Sequence, residues 1–227
     1  MNDRQKIRWE KIKNQAPEKD DSASGSRIGW ILGLASGLVL AGGSTFVVWQ
    51  SMFLELETKA FHFINSWPDS LRNVFLAATI VHESLWIPLV AVIVTFVLKI
   101  YRAAWELAAA TIAGYGLIFI GKELLIARAR PEGLLDNPIV RIAETGNGFP
   151  SGHTMIITVV VLVLFPYLPK VWRWLPVLLL VPAMALSRVY LGVHLPLDVV
   201  GGFAVGLTVV CAMRSLPASV RRWLKFS

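Results

Sequence analysis

Six apolar stretches, separated by short polar connections, organise the chain. Ile28–Trp49 carries no charged residue and alone has the length of a membrane-spanning helix, which requires about 20 mostly apolar residues. The next five have shorter uncharged cores, at about Ser84–Leu98, Leu107–Gly121, Thr154–Pro169, Trp174–Ser187 and Val199–Met213. Each needs polar residues at one end to cross a bilayer, and polar residues at membrane depth are costly and generally functional. The pattern predicts an all-α fold, a six-transmembrane helix bundle. Between the first two stretches, Ser51–Glu83 mixes Phe53, Leu56, Phe61, Phe63, Ile64, Trp67 and Phe75 with polar positions. That mixture predicts a short amphipathic segment in the membrane interface, there either to flank a lipid entrance or to cap the bundle. His62 and His82 fall in this segment and are assigned no chemistry.

Composition supports the membrane reading. Charged residues make up 16% of the chain and mean hydropathy is +0.59, against about 25% charged residues in a soluble domain. Cys211 is the single cysteine and sits in an apolar run, so it reads as a packing residue and offers neither an internal disulfide nor a zinc site. The net charge of +7 comes from basic residues flanking the apolar stretches. Membrane topology accounts for them, and no nucleic-acid partner is expected.

Residues 1–27 hold seven Lys/Arg and five Asp/Glu with no apolar run. They read as a flexible cytoplasmic tail ahead of a membrane domain over residues 28–227, with the first apolar stretch retained as an anchor. Six spans put both termini on one side. Fifteen Lys/Arg fall on that side and seven on the other, which predicts cytoplasmic termini in a multi-pass protein of the cell membrane.

Polar groups then gather at one face. Lys122, Arg128, Arg130 and Pro131 follow the third stretch, and Pro150-Ser151-Gly152-His153 precede the fourth. Ser187-Arg188 end the fifth, and His194 and Asp198 begin the sixth. Because successive spans run antiparallel, all four ends share the extracytoplasmic side. Lys122, Arg130 and Arg188 supply cationic donors suited to phosphate oxygens. Ser151 occupies a helix N-cap position, where backbone N–H groups favour an anion, and Gly152 permits close backbone approach. Asp198 follows His194 by four residues, a spacing that lets its carboxylate accept the Nδ1 proton and leave Nε2 free. Pro196 suits the first helical turn. Arg128 reads as an interfacial anchor or a flank of the site.

These residues resemble the type-2 phosphatidic acid phosphatase superfamily, whose pattern is Lys-x6-Arg-Pro, then Pro-Ser-Gly-His, then Ser-Arg-x5-His-x3-Asp. The second part appears as Pro150–His153, and the third as Ser187, Arg188, His194 and Asp198 with full spacing. The first departs: seven residues, not six, separate Lys122 from Arg130. On a straight helix this extra position would turn Arg130 about 80° from Lys122. The resemblance implies that His194 is transiently phosphorylated, Asp198 orients it and His153 protonates the leaving group. Lys122, Arg130, Ser151, Gly152 and Arg188 would hold the phosphate.

The expected activity is hydrolysis of a lipid phosphate or diphosphate at the extracytoplasmic face, with undecaprenyl diphosphate favoured over phosphatidylglycerophosphate and phosphatidic acid. No metal and no cofactor are expected. Transfer of the phosphate to a second lipid stays open, as does a non-enzymatic anion transporter, which would use the cations without needing the His194–Asp198 pair. The sequence leaves the oligomeric state undecided.

Overall fold

The computed structural model describes residues 21–78 and 86–217, with side chains described from residue 27 and excepting residue 78. His82, tail residues 1–20 and the closing Arg221, Arg222 and Lys225 lie outside these. Among the described residues the chain is helical, without strands.

Helix α1 spans Asp21–Trp49, α2 Leu54–Asn65 and α3 Arg72–Ala78. Then come α4, Trp86–Val97, and α5, Tyr101–Phe119, which runs on into a π turn over Ile120–Leu125. The single-turn α6 covers Pro131–Leu134, followed by α7, Gly152–Leu164, α8, Trp174–Tyr190, and α9, Pro196–Ser215. Arg27–Trp49, Tyr101–Leu125 and Pro196–Ser215 are long and apolar enough to cross a membrane. Trp86–Val97, Gly152–Tyr167 and Trp174–Tyr190 are shorter apolar helices. Each falls on one of the six apolar stretches.

Helix α9 is the centre of the packing. It lies along α1 and α7 and also touches α5, α8 and α2. Two glycines set how closely α9 approaches α7. A Cβ on Gly202 would run into the Ser151 carbonyl, and one on Gly206 would lie 2.8 Å from the Met155 oxygen. The main core forms where α5, α7 and α9 meet, from Leu107, Ala110, Met155, Ile156, Val159, Val163, Val209 and Val210. The outward faces of α1, α4 and α8 expose large apolar side chains such as Val39, Ile93 and Leu178, as expected of surfaces that meet lipid.

Helix α2 is amphipathic with an unusual buried face. Glu57, Phe61 and Asn65 recur every four residues and are all buried, while Leu56 and Phe63 point outward. Phe61 packs on Val189, Leu195 and Val199, at the ends of α8 and α9. Asn65 donates to the carbonyls of Ile139 (2.9 Å) and Tyr190 (3.0 Å) and accepts from the Ile139 N–H (2.8 Å). Segment 51–83 thus includes a helix joined to the bundle end by packing and hydrogen bonds, beside the site described next.

The connection from α6 to α7 is pinned to the same end. Arg141 donates to the carbonyls of Asn65 (2.9 Å), Tyr190 (2.7 Å) and Trp67 (3.1 Å). Its guanidinium carbon also lies 4.0 Å from the Tyr190 ring centroid. These bonds hold in place a loop that has little regular structure of its own.

Candidate active site

Three polar segments meet where α5, α7, α8 and α9 end. The first leaves α5 through the π turn, in which the Ile126 N–H donates to the Gly121 carbonyl at 2.9 Å, five residues back. A π turn carries one residue more than an α-helical turn, and here it holds Lys122. Asn147 closes it by donating from Nδ2 to the Lys122 carbonyl at 2.8 Å. The chain is no longer helical from Ile126 to Arg130. The angular offset expected between Lys122 and Arg130 on a straight helix therefore does not apply.

Arg130 turns inward and donates from Nη1 to the Val193 carbonyl at 2.8 Å, and from Nη2 to that of Thr145 at 3.1 Å. Arg128 decides between the two readings its sequence position left open. It is not an interfacial anchor but flanks the site, buried between two carboxylates. It makes a two-pronged pair with Glu57 and donates from Nη1 to Oδ1 of Asp198 at 2.9 Å. Burial opposes its charge, but the hydrogen bond to Glu57 and the charge of Asp198 outweigh that cost and raise it above the ordinary arginine range.

The second segment starts α7. Ser151 is the N-cap by backbone conformation, but its side chain makes no capping bond and instead accepts from the Thr154 hydroxyl at 3.3 Å. Its N–H donates to the Asp198 carbonyl at 2.9 Å, tying the start of α7 to the start of α9. Gly152 opens the helix and His153 is buried in its first turn.

The third segment turns from α8 into α9. The N–H groups of Val193 (3.2 Å) and His194 (3.3 Å) both donate to the Arg188 carbonyl. The turn passes through Gly192 at φ +81°, where a Cβ would also strike the Ile139 carbonyl. Only glycine fits both constraints. Pro196 opens α9, and Asp198, in its first turn, accepts the Leu195 N–H on Oδ2 at 2.8 Å. The same oxygen lies 3.5 Å from Nδ1 of His194.

Lys122, Arg130, Arg188 and His153 all lie within electrostatic reach of His194. Ser151, Arg188, His194 and Asp198 are each exposed by 1% or less. Burial comes first, then the charges of Arg188, Arg130 and Lys122, in holding His194 well below the usual histidine range. These surroundings favour the neutral imidazole, the form with a lone pair to donate. The structure thus gathers Lys122, Arg130, Ser151, Gly152, His153, Arg188, His194 and Asp198 at one end of the bundle.

Sequence reasoning missed Glu144 and Glu57. Glu144 bridges two cations of the site: one oxygen is bound by Arg188 Nη2, and the other is 3.0 Å from Arg130 Nη1. Arg188 Nε is buried with no hydrogen-bond partner among the described residues. One anion thus already spans both guanidinium groups, and a donor is left over. No short-range pattern marks either glutamate, although Glu57 shares the four-residue spacing of Phe61 and Asn65.

The model of the PAP2 superfamily matches residues 103–222, more than half of the chain. The chain belongs to the PAP2 superfamily. Among curated relatives, the undecaprenyl-diphosphatase of Sulfolobus acidocaldarius is 30% identical over 129 residues, covering 55% of this chain and 59% of that protein. Phosphatidylglycerophosphatase B of Bacillus subtilis is 33% identical over 107 residues, covering 43% and 50%. The matches thus span roughly half the length of these relatives. A crystal structure of a transmembrane PAP2-type phosphatidylglycerolphosphate phosphatase from Bacillus subtilis superposes with a TM-score of 0.59 at 26% identity, over 81% of this chain and 92% of that one. In this PAP2 chain the lengthened first motif coincides with the π turn that carries Lys122.

Proposed function

We propose that the protein is an integral membrane phosphatase that hydrolyses a lipid phosphate or diphosphate, with undecaprenyl diphosphate the favoured substrate. The observation that carries this reading is a buried His194 with Asp198 3.5 Å from its Nδ1 and with Lys122, Arg130 and Arg188 around it. A transporter could use such cations, but would have no need of a carboxylate-backed imidazole among them. The relatives named undecaprenyl-diphosphatase and phosphatidylglycerophosphatase B support a lipid phosphate as substrate.

The chemistry follows from these groups. Lys122, Arg130, Arg188, Ser151 and the N–H groups at the start of α7 hold the phosphoryl oxygens. The Nε2 lone pair of His194 attacks phosphorus as the bond to the leaving oxygen breaks, and His153 protonates that oxygen. Asp198, whose Oδ2 lies 3.5 Å from Nδ1, balances the charge gained by the ring. Water then displaces the imidazole from phosphorus, with His153 taking up its proton, and inorganic phosphate leaves. The cations stabilise charge on the equatorial oxygens throughout.

In this reading six spans cross the membrane, the termini are cytoplasmic and the site faces outward. The decisive assay measures phosphate release from a panel of lipid phosphates by the purified wild type and by His194→Ala. The variant should fall to background on every substrate; retained turnover would exclude the histidine mechanism. A single cysteine placed in the 132–149 loop should react with an impermeant thiol reagent in intact cells. Labelling at position 3 in its place would invert the orientation.

A further inference from the structure

Glu57 belongs to none of the three motifs, yet it reaches the nucleophile's support through a single side chain. Its Oε1 accepts from Arg128 Nη1 at 3.1 Å and from the Leu197 N–H, in the first turn of α9, at 2.8 Å. Its Oε2 is bound by Arg128 Nη2. Arg128 Nη1 in turn holds Oδ1 of Asp198, whose Oδ2 faces His194. All three charged side chains are nearly inaccessible, with 4% of Glu57, 8% of Arg128 and none of Asp198 exposed. Water therefore screens these charges weakly.

We infer that Glu57 and Arg128 are positioning residues for phosphoryl transfer, acting on His194 through Asp198. The inference rests on the histidine mechanism proposed above. Arg128 fixes one carboxylate oxygen of Asp198 and so directs the other at the imidazole. Alone, however, Arg128 would cancel the charge of Asp198. Glu57 removes that defect, leaving the three ionised groups with one net negative charge. When Nε2 bonds to phosphorus while Nδ1 keeps its proton, the ring becomes cationic. It does so beside Lys122, Arg130 and Arg188, all of the same sign. The net negative charge behind Nδ1 opposes that repulsion. Glu57 also fixes the N-terminal turn of α9, in which Asp198 lies. A buried ion pair that merely joined two helices would have no reason to include the carboxylate facing the nucleophile.

The test is a double-mutant cycle in the full-length protein. Glu57→Gln keeps an acceptor for the Leu197 N–H but removes the charge. It should lower kcat about ten- to a hundredfold, a range typical of lost support to a reacting group, and leave competitive inhibition by inorganic phosphate within about twofold of wild type. In an Asp198→Asn background the same substitution should cost less than about twofold, because the residue it acts through is already disabled. Equal losses in both backgrounds, or weaker phosphate binding in step with kcat, would overturn the inference. If Glu57→Gln is not recovered folded, Arg128→Gln in the same two backgrounds gives the same reading. A His194→Ala protein that still turns over would instead remove the mechanism itself, a separate failure.

Discussion

Glu144 places one carboxylate oxygen on the guanidinium of Arg188, while its other oxygen sits 3.0 Å from Arg130. A single carboxylate thus bridges the two arginines, and a phosphate would have to take Glu144's place there. In that arrangement the side chain competes with the substrate. Glu144→Gln should therefore tighten competitive inhibition by inorganic phosphate by about three- to tenfold, since apparent affinity scales with the fraction of binding-competent protein. Inhibition constants measured at fixed pH and salt decide the matter. Weaker inhibition would show instead that Glu144 holds the arginines in position for phosphate.

The state of His194 sets a pH expectation. Burial and three neighbouring cations disfavour its protonated form, so the imidazole should remain neutral well below its ordinary value of about 6.5. The folded protein refuses a proton that the unfolded chain accepts. This contribution to stability is thus complete above about pH 6.5 and is lost as pH falls below it. Nitrogen-15 spectra of histidine-labelled protein in detergent, assigned with His194→Ala, should show the His194 ring neutral at pH 6. A midpoint near 6.5 would contradict the arrangement.

Arg130 and Lys122 should differ in weight. Arg130 offers a planar fork anchored by the Val193 and Thr145 carbonyls, whereas Lys122 is a point charge on a flexible stem within the π turn. Arg130→Ala is expected to lower kcat/KM by about 10²–10³-fold, as for loss of one fixed donor to a developing oxyanion. Lys122→Ala should cost about tenfold. Losses of equal size would mean that the π turn aims the lysine as firmly as the arginine.

At the other end of the bundle, Glu106 on α5 is buried against Arg214 of α9 (2.5 Å) and Arg102 (2.9 Å). Arg214 also donates to the Val163 carbonyl at 2.7 Å and lies 4.8 Å from the Trp30 ring. This cluster ties α1, α5, α7 and α9 together far from the site. Glu106→Ala strands Arg214 and should destabilise the fold by about 3–5 kcal/mol, while KM of the surviving folded protein stays unchanged. Thermal unfolding in detergent and steady-state kinetics check the two halves separately. An unchanged melting temperature would refute a structural role for the cluster.

Much of the fold was legible because lipid imposes a simple pattern. A long uncharged run gave α1, and the polar completions of the shorter runs, those of α5 and α9 among them, marked the face where the site forms. His194, Asp198, Arg188 and Pro150–His153 were readable from spacing, since each sits within a few residues of a helix end. Glu57 and Glu144 were not. Arg128 lies 71 residues from Glu57 and Arg188 lies 44 from Glu144, and long-range ion pairs leave no periodic trace. Arg128 stayed undecided between an anchor and a flank of the site for the same reason, and only Glu57 and Asp198 reveal its place. The extra residue between Lys122 and Arg130 was visible, but its accommodation in a π turn depends on backbone bonding that residue types do not announce.

Glu57 and Asn65 both precede residue 103, where the match to the PAP2 family begins. All the motif residues lie beyond that point, yet the carboxylate that supports Asp198 and the amide that fastens the 135–151 loop do not. On the proposed mechanism the recognisable family segment is an incomplete catalytic unit here. Transplanting residues 103–222 into a different N-terminal half would carry over the proposed nucleophile and phosphate ligands but leave behind Glu57, their electrostatic counterweight in that mechanism. A chimera of that kind would need its own acidic residue over the bundle end before it could work at full rate.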